Sequence, residues 1–203
     1  PVSFLIFESN GRGSSPIVVD LAASIEWDFM SFLSHEFHHW YRNRELQYNI
    51  NKVSRDDEYL VDALAKIEAE GIADMVDKKD WFTKSNGATS TYARQFINDV
   101  GKTPFVIQQM DLLLKQLHKE PQTNAQVGQS IQKLLPQRGH TTGYFMASLI
   151  LETIGKRDLV KCVGNPFEFF KLYNQAAKKS NGRYPSFSNE SIKVIEQLKR
   201  KYS

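Results

Sequence analysis

The absences in this sequence narrow its possible functions. There is one cysteine, Cys162, so the chain can form no intrachain disulfide and can build no zinc site from cysteines alone. No apolar run approaches the roughly 18 residues that a membrane span needs. Neither sign of charge is in excess: 26 basic residues against 23 acidic leave +3, spread along the chain. That balance gives no electrostatic footprint for nucleic acid. The basic cluster Lys193, Lys199, Arg200 and Lys201 reads as a solvated helix end, where cations suit the dipole. The glycine-containing stretch 10–15 is followed by no P-loop lysine, so it reads as a hairpin loop rather than a phosphate cradle. No internal repeat and no linker divides the 203 residues, and the expectation is one domain over 1–203. The first residue is Pro1 rather than Met, so a processed or excised chain is expected; export is one expected location, with the cytoplasm left open. Oligomeric state has no signature here.

Histidine is scarce but concentrated. Three of the five histidines fall in His35-Glu36-Phe37-His38-His39. On a helix, residues four apart lie on one face, so His35 and His39 can turn a ring nitrogen each toward one metal ion. Glu36 lies about a third of a turn further round, where a carboxylate reaches an attacking water rather than the metal. Two histidine ligands and a glutamate base are what a metallopeptidase requires. The flanks (Trp27, Phe29, Met30, Phe32, Leu33, Phe37, Trp40, Tyr41) are apolar, which predicts a helix buried on nearly all sides, from about residues 22–24 to about 46, with residues 42–45 as its polar exit.

A second helix is predicted from Ser54, as its cap, to Asp77. A catalytic zinc site keeps three protein ligands and one open position. This helix offers Glu68 and Glu70, about 200° apart, so that only one faces the metal. Gly71 selects Glu70: a mid-helix glycine costs about 1 kcal/mol, which a close approach to the motif helix would explain. The alternative for both glutamates is a solvated face with local pairing to Lys66. Asp74, four residues after Glu70, is placed to accept the second ring proton of a zinc-bound histidine.

His35-Glu36-x-x-His39 followed by Glu70-Gly71-Ile72-Ala73-Asp74 resembles the gluzincin zinc peptidases, and more loosely small bacterial zinc-dependent peptidase-like proteins. The resemblance covers about 40 residues. It implies His35, His39 and Glu70 as ligands of one zinc ion, Glu36 as general base and Asp74 as the group that orients a histidine. In gluzincins a histidine or tyrosine from a later helix steadies the oxyanion. His140 and Tyr144, four apart near a helix start, are the candidates, and the resemblance does not choose between them.

The remaining pattern predicts two short strands, 2–8 and 16–20, whose edge could pair with an extended peptide. It also predicts an irregular aromatic stretch over 80–93, a short helix over 92–100 broken at Gly101 and Pro104, and a helix over 104–118 with Phe105, Ile107, Met110, Leu112, Leu113 and Leu117 inward. Further helices are opened by the stretch from Arg138, by Asn165 and by Asn189. The expected architecture is mainly α (α+β): a zincin-like domain of about seven helices with a small N-terminal β element. The expected function is zinc-dependent peptide-bond hydrolysis of a peptide or protein substrate. The rivals are a metal-binding but inactive interaction module, a zinc hydrolase of a non-peptide substrate, and a di-iron carboxylate protein. The last needs a second E-x-x-H, which the sequence does not have.

Overall fold

In residues 58–77, apolar side chains recur three and four apart, and this spacing makes the helix at the centre of the structure. The computed structural model describes residues 2–5, 17–20, 28–83, 90–119 and 123–203, without the side chains of Leu5, Asp20, Thr83, His118 and Lys119. Within these it is mainly α, with a small N-terminal β element. The strands are β1 (Val2–Leu5) and β2 (Ile17–Asp20). The helices are α1 (Phe29–Arg44), α2 (Glu58–Asp77), α3 (Asp80–Thr83), α4 (Thr91–Lys119), α5 (Asn124–Leu134), α6 (His140–Thr153), α7 (Lys156–Lys161), α8 (Pro166–Lys179) and α9 (Asn189–Tyr202). The sequence pattern counts about seven helices because it splits α4 in two, does not count α5, and misses α3 and α7, which are too short to show a period. No described helix is long and apolar enough to cross a membrane.

Leu60, Ala63, Leu64 and Ile67 of α2 are fully buried. α2 packs against α6, α5, α1 and α8, so one helix both fills the core and carries the acidic side chains of the motif. It starts at Glu58 after Asp57, not at Ser54; the Ser54 hydroxyl instead donates to the Asp57 carboxylate (3.1 Å).

The expected close approach at Gly71 exists, but its partner is α6. A Cβ on Gly71 would lie 2.3–2.5 Å from backbone atoms of Gly143. A Cβ on Gly143 would lie 2.1 Å from the Ile67 carbonyl oxygen. Two glycines facing each other let the backbones of α2 and α6 touch, and this brings the first turn of α6, with His140, over the acidic face of α2. The approach to α6 is sharp: Gln137, Arg138 and Gly139 all have positive φ (46°, 56° and 104°).

The two strands pair in parallel, Val2 with Ile17 through Leu5 with Asp20, which excludes a hairpin between them. The stretch 10–15 read as its loop lies outside the described residues, as do the expected helix start at 22–24, Trp27, and residues 84–89 of the expected irregular stretch. α4 runs unbroken through Gly101 and Pro104. An interior proline costs about 3 kcal/mol, but Phe96, Ile107, Met110 and Leu114 form one buried stripe across the site of the expected break. Thr103, just before the proline, hydrogen-bonds the Thr141 carbonyl of α6 (3.4 Å). Phe105 and Leu112, expected inward, are exposed.

Candidate metal centre

α1 buries its polar face. His35, Glu36 and Arg42 are buried, whereas Phe29, Met30, Phe37 and Tyr41 are exposed, Met30 by 69%. The expectation of a helix buried on nearly all sides fails, because the side that meets α2 is the motif side. Asp28 caps the helix, accepting from the Ser31 amide (3.2 Å).

His35 and His39 stand one turn apart, with Nε2 atoms 3.0 Å from each other. Glu70 of α2 faces both: its Oε2 lies 3.5 Å from His35 Nε2 and 3.2 Å from His39 Nε2. Bonds of about 2.0–2.1 Å to a tetrahedral zinc put ligand atoms roughly 3.3 Å apart. The three observed separations therefore fit one ion at a common point. Among the described residues, buried Glu70 Oε2 has no partner with hydrogen-bond geometry, the condition of an acceptor waiting for a cation. Burial alone would raise the Glu70 carboxyl, but the imidazoles of His35, His39 and His140 close around it outweigh burial and hold it well below the carboxylate range.

His140 approaches Glu70 from α6, its Nε2 3.4 Å from Glu70 Oε2, but its donor atoms do not group with those of His35, His39 and Glu70 closely enough to share an ion. Its Nδ1 faces Asp74, 3.0 Å from Oδ2 and 3.2 Å from Oδ1. Asp74 is also 3.5 Å from His35 Nδ1, but Asp77 is closer to that nitrogen, at 3.3 Å. Burial lowers the His35 imidazole, yet the carboxylates of Asp77 and Glu70 beside it outweigh this and raise it to about 9. Lys78 reaches both aspartates, 2.5 Å from Asp74 Oδ1 and 2.8 Å from Asp77 Oδ2. His35, Asp74 and Asp77 also cluster closely enough to suggest a second ion site. The Lys78 ammonium already occupies that place and would repel another cation. Asp77 and Lys78 were missed by sequence reasoning. Their signal was the continuation of the Glu70–Asp74 face by seven and eight residues.

Glu36 is buried, and burial raises its carboxyl above the ordinary value; His35, His39 and Glu70 are among the charges acting on it. Tyr144 does not join the cluster through any described hydrogen bond. Its ring stacks on Phe82 (4.8 Å) and meets Phe96 edge-on (5.7 Å). His38, between the ligand candidates, is lowered to about 3 by burial and by the charges of His39, His35 and Arg42, so it is neutral.

Glu68 is fully buried rather than solvated. It accepts from Arg42 Nε (2.6 Å) and from the Gly164 amide (3.0 Å), while Lys66 pairs with Asp62. Arg42, taken as part of a polar exit, is thus the buried tie between α1 and α2. It lies one turn after His39, and its partner lies two residues before Glu70, so the pair fixes the register of the two helices at the cluster. Cys162 is buried, which pushes its thiol up to about 12, and it offers no competing nucleophile.

Helices α1 and α2 thus bring two imidazoles and a carboxylate to spacing that suits a metal ion, with a third imidazole beside them. The chain belongs to the family described as "Putative zinc dependent peptidase (DUF5700)", whose model matches residues 2–182. That description names zinc as the metal and peptides as the class of substrate. Comparisons with curated proteins and with solved structures give no match.

Proposed function

We propose that this protein hydrolyses peptide bonds in the gluzincin manner, with His35, His39 and Glu70 holding one zinc ion per chain. The observation that carries this reading is the spacing of three donor atoms, 3.0, 3.2 and 3.5 Å apart, contributed by two helices. Zinc there supplies Lewis acidity, polarising a carbonyl and lowering the pKa of water toward about 7. Glu36 takes the proton of the attacking water and delivers it to the leaving amine. Its burial supports this role, since a raised carboxyl is a better proton acceptor and donor than an ordinary one. With Nδ1–H donated to Asp74, His140 donates from Nε2 to the carbonyl oxygen as negative charge develops when its ring carries a proton on both nitrogens. Tyr144 is the alternative donor and requires its ring to leave the stack on Phe82. Glu70, His39 and His140 keep part of their side-chain surface open, while Asp74 and Lys78 keep almost none, so substrate approaches from the Glu70 side.

The test is the Glu36→Gln variant, loaded with zinc and offered a mixed peptide library. Expected are wild-type zinc content and hydrolysis slower by about 10²–10⁴-fold, the contribution of a positioned base. Undiminished hydrolysis would remove Glu36 from the mechanism.

One observation favours a second reading. His140 Nε2 is as close to Glu70 Oε2 as the two motif histidines are. To become a fourth protein ligand His140 would have to move nearer to His35 and His39; it would then close the site, and a closed zinc site is structural. The protein would then be a metal-stabilised interaction module.

A further inference from the structure

Lys78 follows α2 directly. Its backbone amide closes the helix on the Asp74 carbonyl (2.9 Å), and its side chain turns inward until the residue is 5% exposed. A cation is favoured at a helix C-terminus, but burying an ammonium is costly unless it is paired. Lys78 is paired twice, with Asp74 Oδ1 and Asp77 Oδ2, and the ring centroids of Trp81 and Phe96 lie 5.7 Å from Nζ. The other oxygen of each aspartate meets a histidine: Asp74 Oδ2 faces His140 Nδ1 (3.0 Å), and Asp77 Oδ1 faces His35 Nδ1 (3.3 Å). Each carboxylate is therefore held at both ends, by lysine on one side and by imidazole on the other. A carboxylate held at one oxygen can still rotate, whereas one held at both cannot. Lys78 itself cannot bind a metal, since an ammonium has no lone pair.

We propose that Lys78 is a positioning residue: its ammonium pins Asp74 and Asp77, and through them sets the ring orientations that turn Nε2 of His140 and His35 toward Glu70. This rests on the zinc reading above. Removing the ammonium leaves two like charges side by side in a buried place, free to turn away from the imidazoles they orient. Groups that orient ligand histidines are typically worth 10–100-fold in metal affinity.

The test titrates wild type, Lys78→Met, Lys78→Gln and His35→Ala with zinc against a competing chelator. The visible spectrum of each cobalt(II)-loaded protein is recorded beside it, since that spectrum reports ligand geometry. Lys78→Met is expected to bind zinc about 10–100-fold more weakly, with an altered cobalt spectrum. Lys78→Gln, which keeps an amide donor but loses the charge and the reach of the ammonium, is expected to fall between it and wild type. It carries the same comparison should Met prevent folding. Wild-type affinity and an unchanged cobalt spectrum in either folded variant overturn the positioning role. A wild type that binds zinc no better than His35→Ala instead overturns the zinc reading, so the two failures are distinct.

Discussion

Gly71 of α2 and Gly143 of α6 meet backbone against backbone, so closely that a Cβ on Gly143 would stand 2.6 Å from the Gly71 Cα. The contact lies one residue beyond Glu70 and three beyond His140. Gly71→Ala must push the helices apart, because the obstructing atoms are backbone and cannot rotate away. Overpacking of this kind costs about 1–3 kcal/mol, occasionally more. Urea unfolding is expected to show that loss, and zinc affinity should fall with it. An unchanged midpoint would contradict the helix contact.

The buried Arg42–Glu68 pair gives a second expectation. Arg42→Met leaves Glu68 in the core with only the Gly164 amide as a described hydrogen-bond partner. Breaking one side of a buried pair costs about 3–5 kcal/mol. The double variant Arg42→Met/Glu68→Met removes both charges and should recover much of that loss. Equal stability of the single variant and wild type in chemical denaturation would contradict the pairing.

The helix that carries Glu70 is anchored at its start by Asp57, and this anchor has a defined pH dependence. Burial raises the Asp57 carboxyl, but hydrogen bonds from Asn124, Lys201 and Tyr202 outweigh it and hold it below the ordinary value. A depressed carboxyl contributes stability above its unfolded pKa of about 3.9, and the contribution is lost as pH falls through the folded value. Asp57→Asn should therefore be less stable than wild type at pH 7, and the gap should narrow as pH drops below about 4. A gap that widens on acidification would reverse the assignment.

The two roles for His140 separate in one variant. As an oxyanion donor, His140→Ala keeps zinc affinity and loses about 10²–10³-fold in kcat. As a fourth ligand, it loses zinc affinity as severely as His35→Ala does. The donor role is expected, and chelator competition run beside a peptide assay checks it.

Much of the geometry of the candidate site was legible in the sequence because its residues lie on regular helices. His35 and His39 share a face by spacing alone, and Gly71 marked a helix contact one residue from Glu70. The partner of that contact was not legible, because Gly143 is 72 residues away and nothing local points to it. The purpose of Glu68 was hidden for the same reason: its burial depends on Arg42 and Gly164, from two other elements. Asp74 was assigned to a zinc-bound histidine, yet it lies closer to His140 than to His35, and Asp77 takes the nearer place at His35. The parallel pairing of β1 and β2 and the unbroken path of α4 through Pro104 follow from tertiary packing, which outweighs local propensity.

The most direct measurement is an anomalous difference map at the zinc edge from crystals grown with zinc. One peak is expected, bonded at about 2.0–2.1 Å to Nε2 of His35, Nε2 of His39 and a carboxylate oxygen of Glu70. A peak between Asp74 and Asp77, or zinc-saturated crystals with no peak at the three donors, would contradict that expectation.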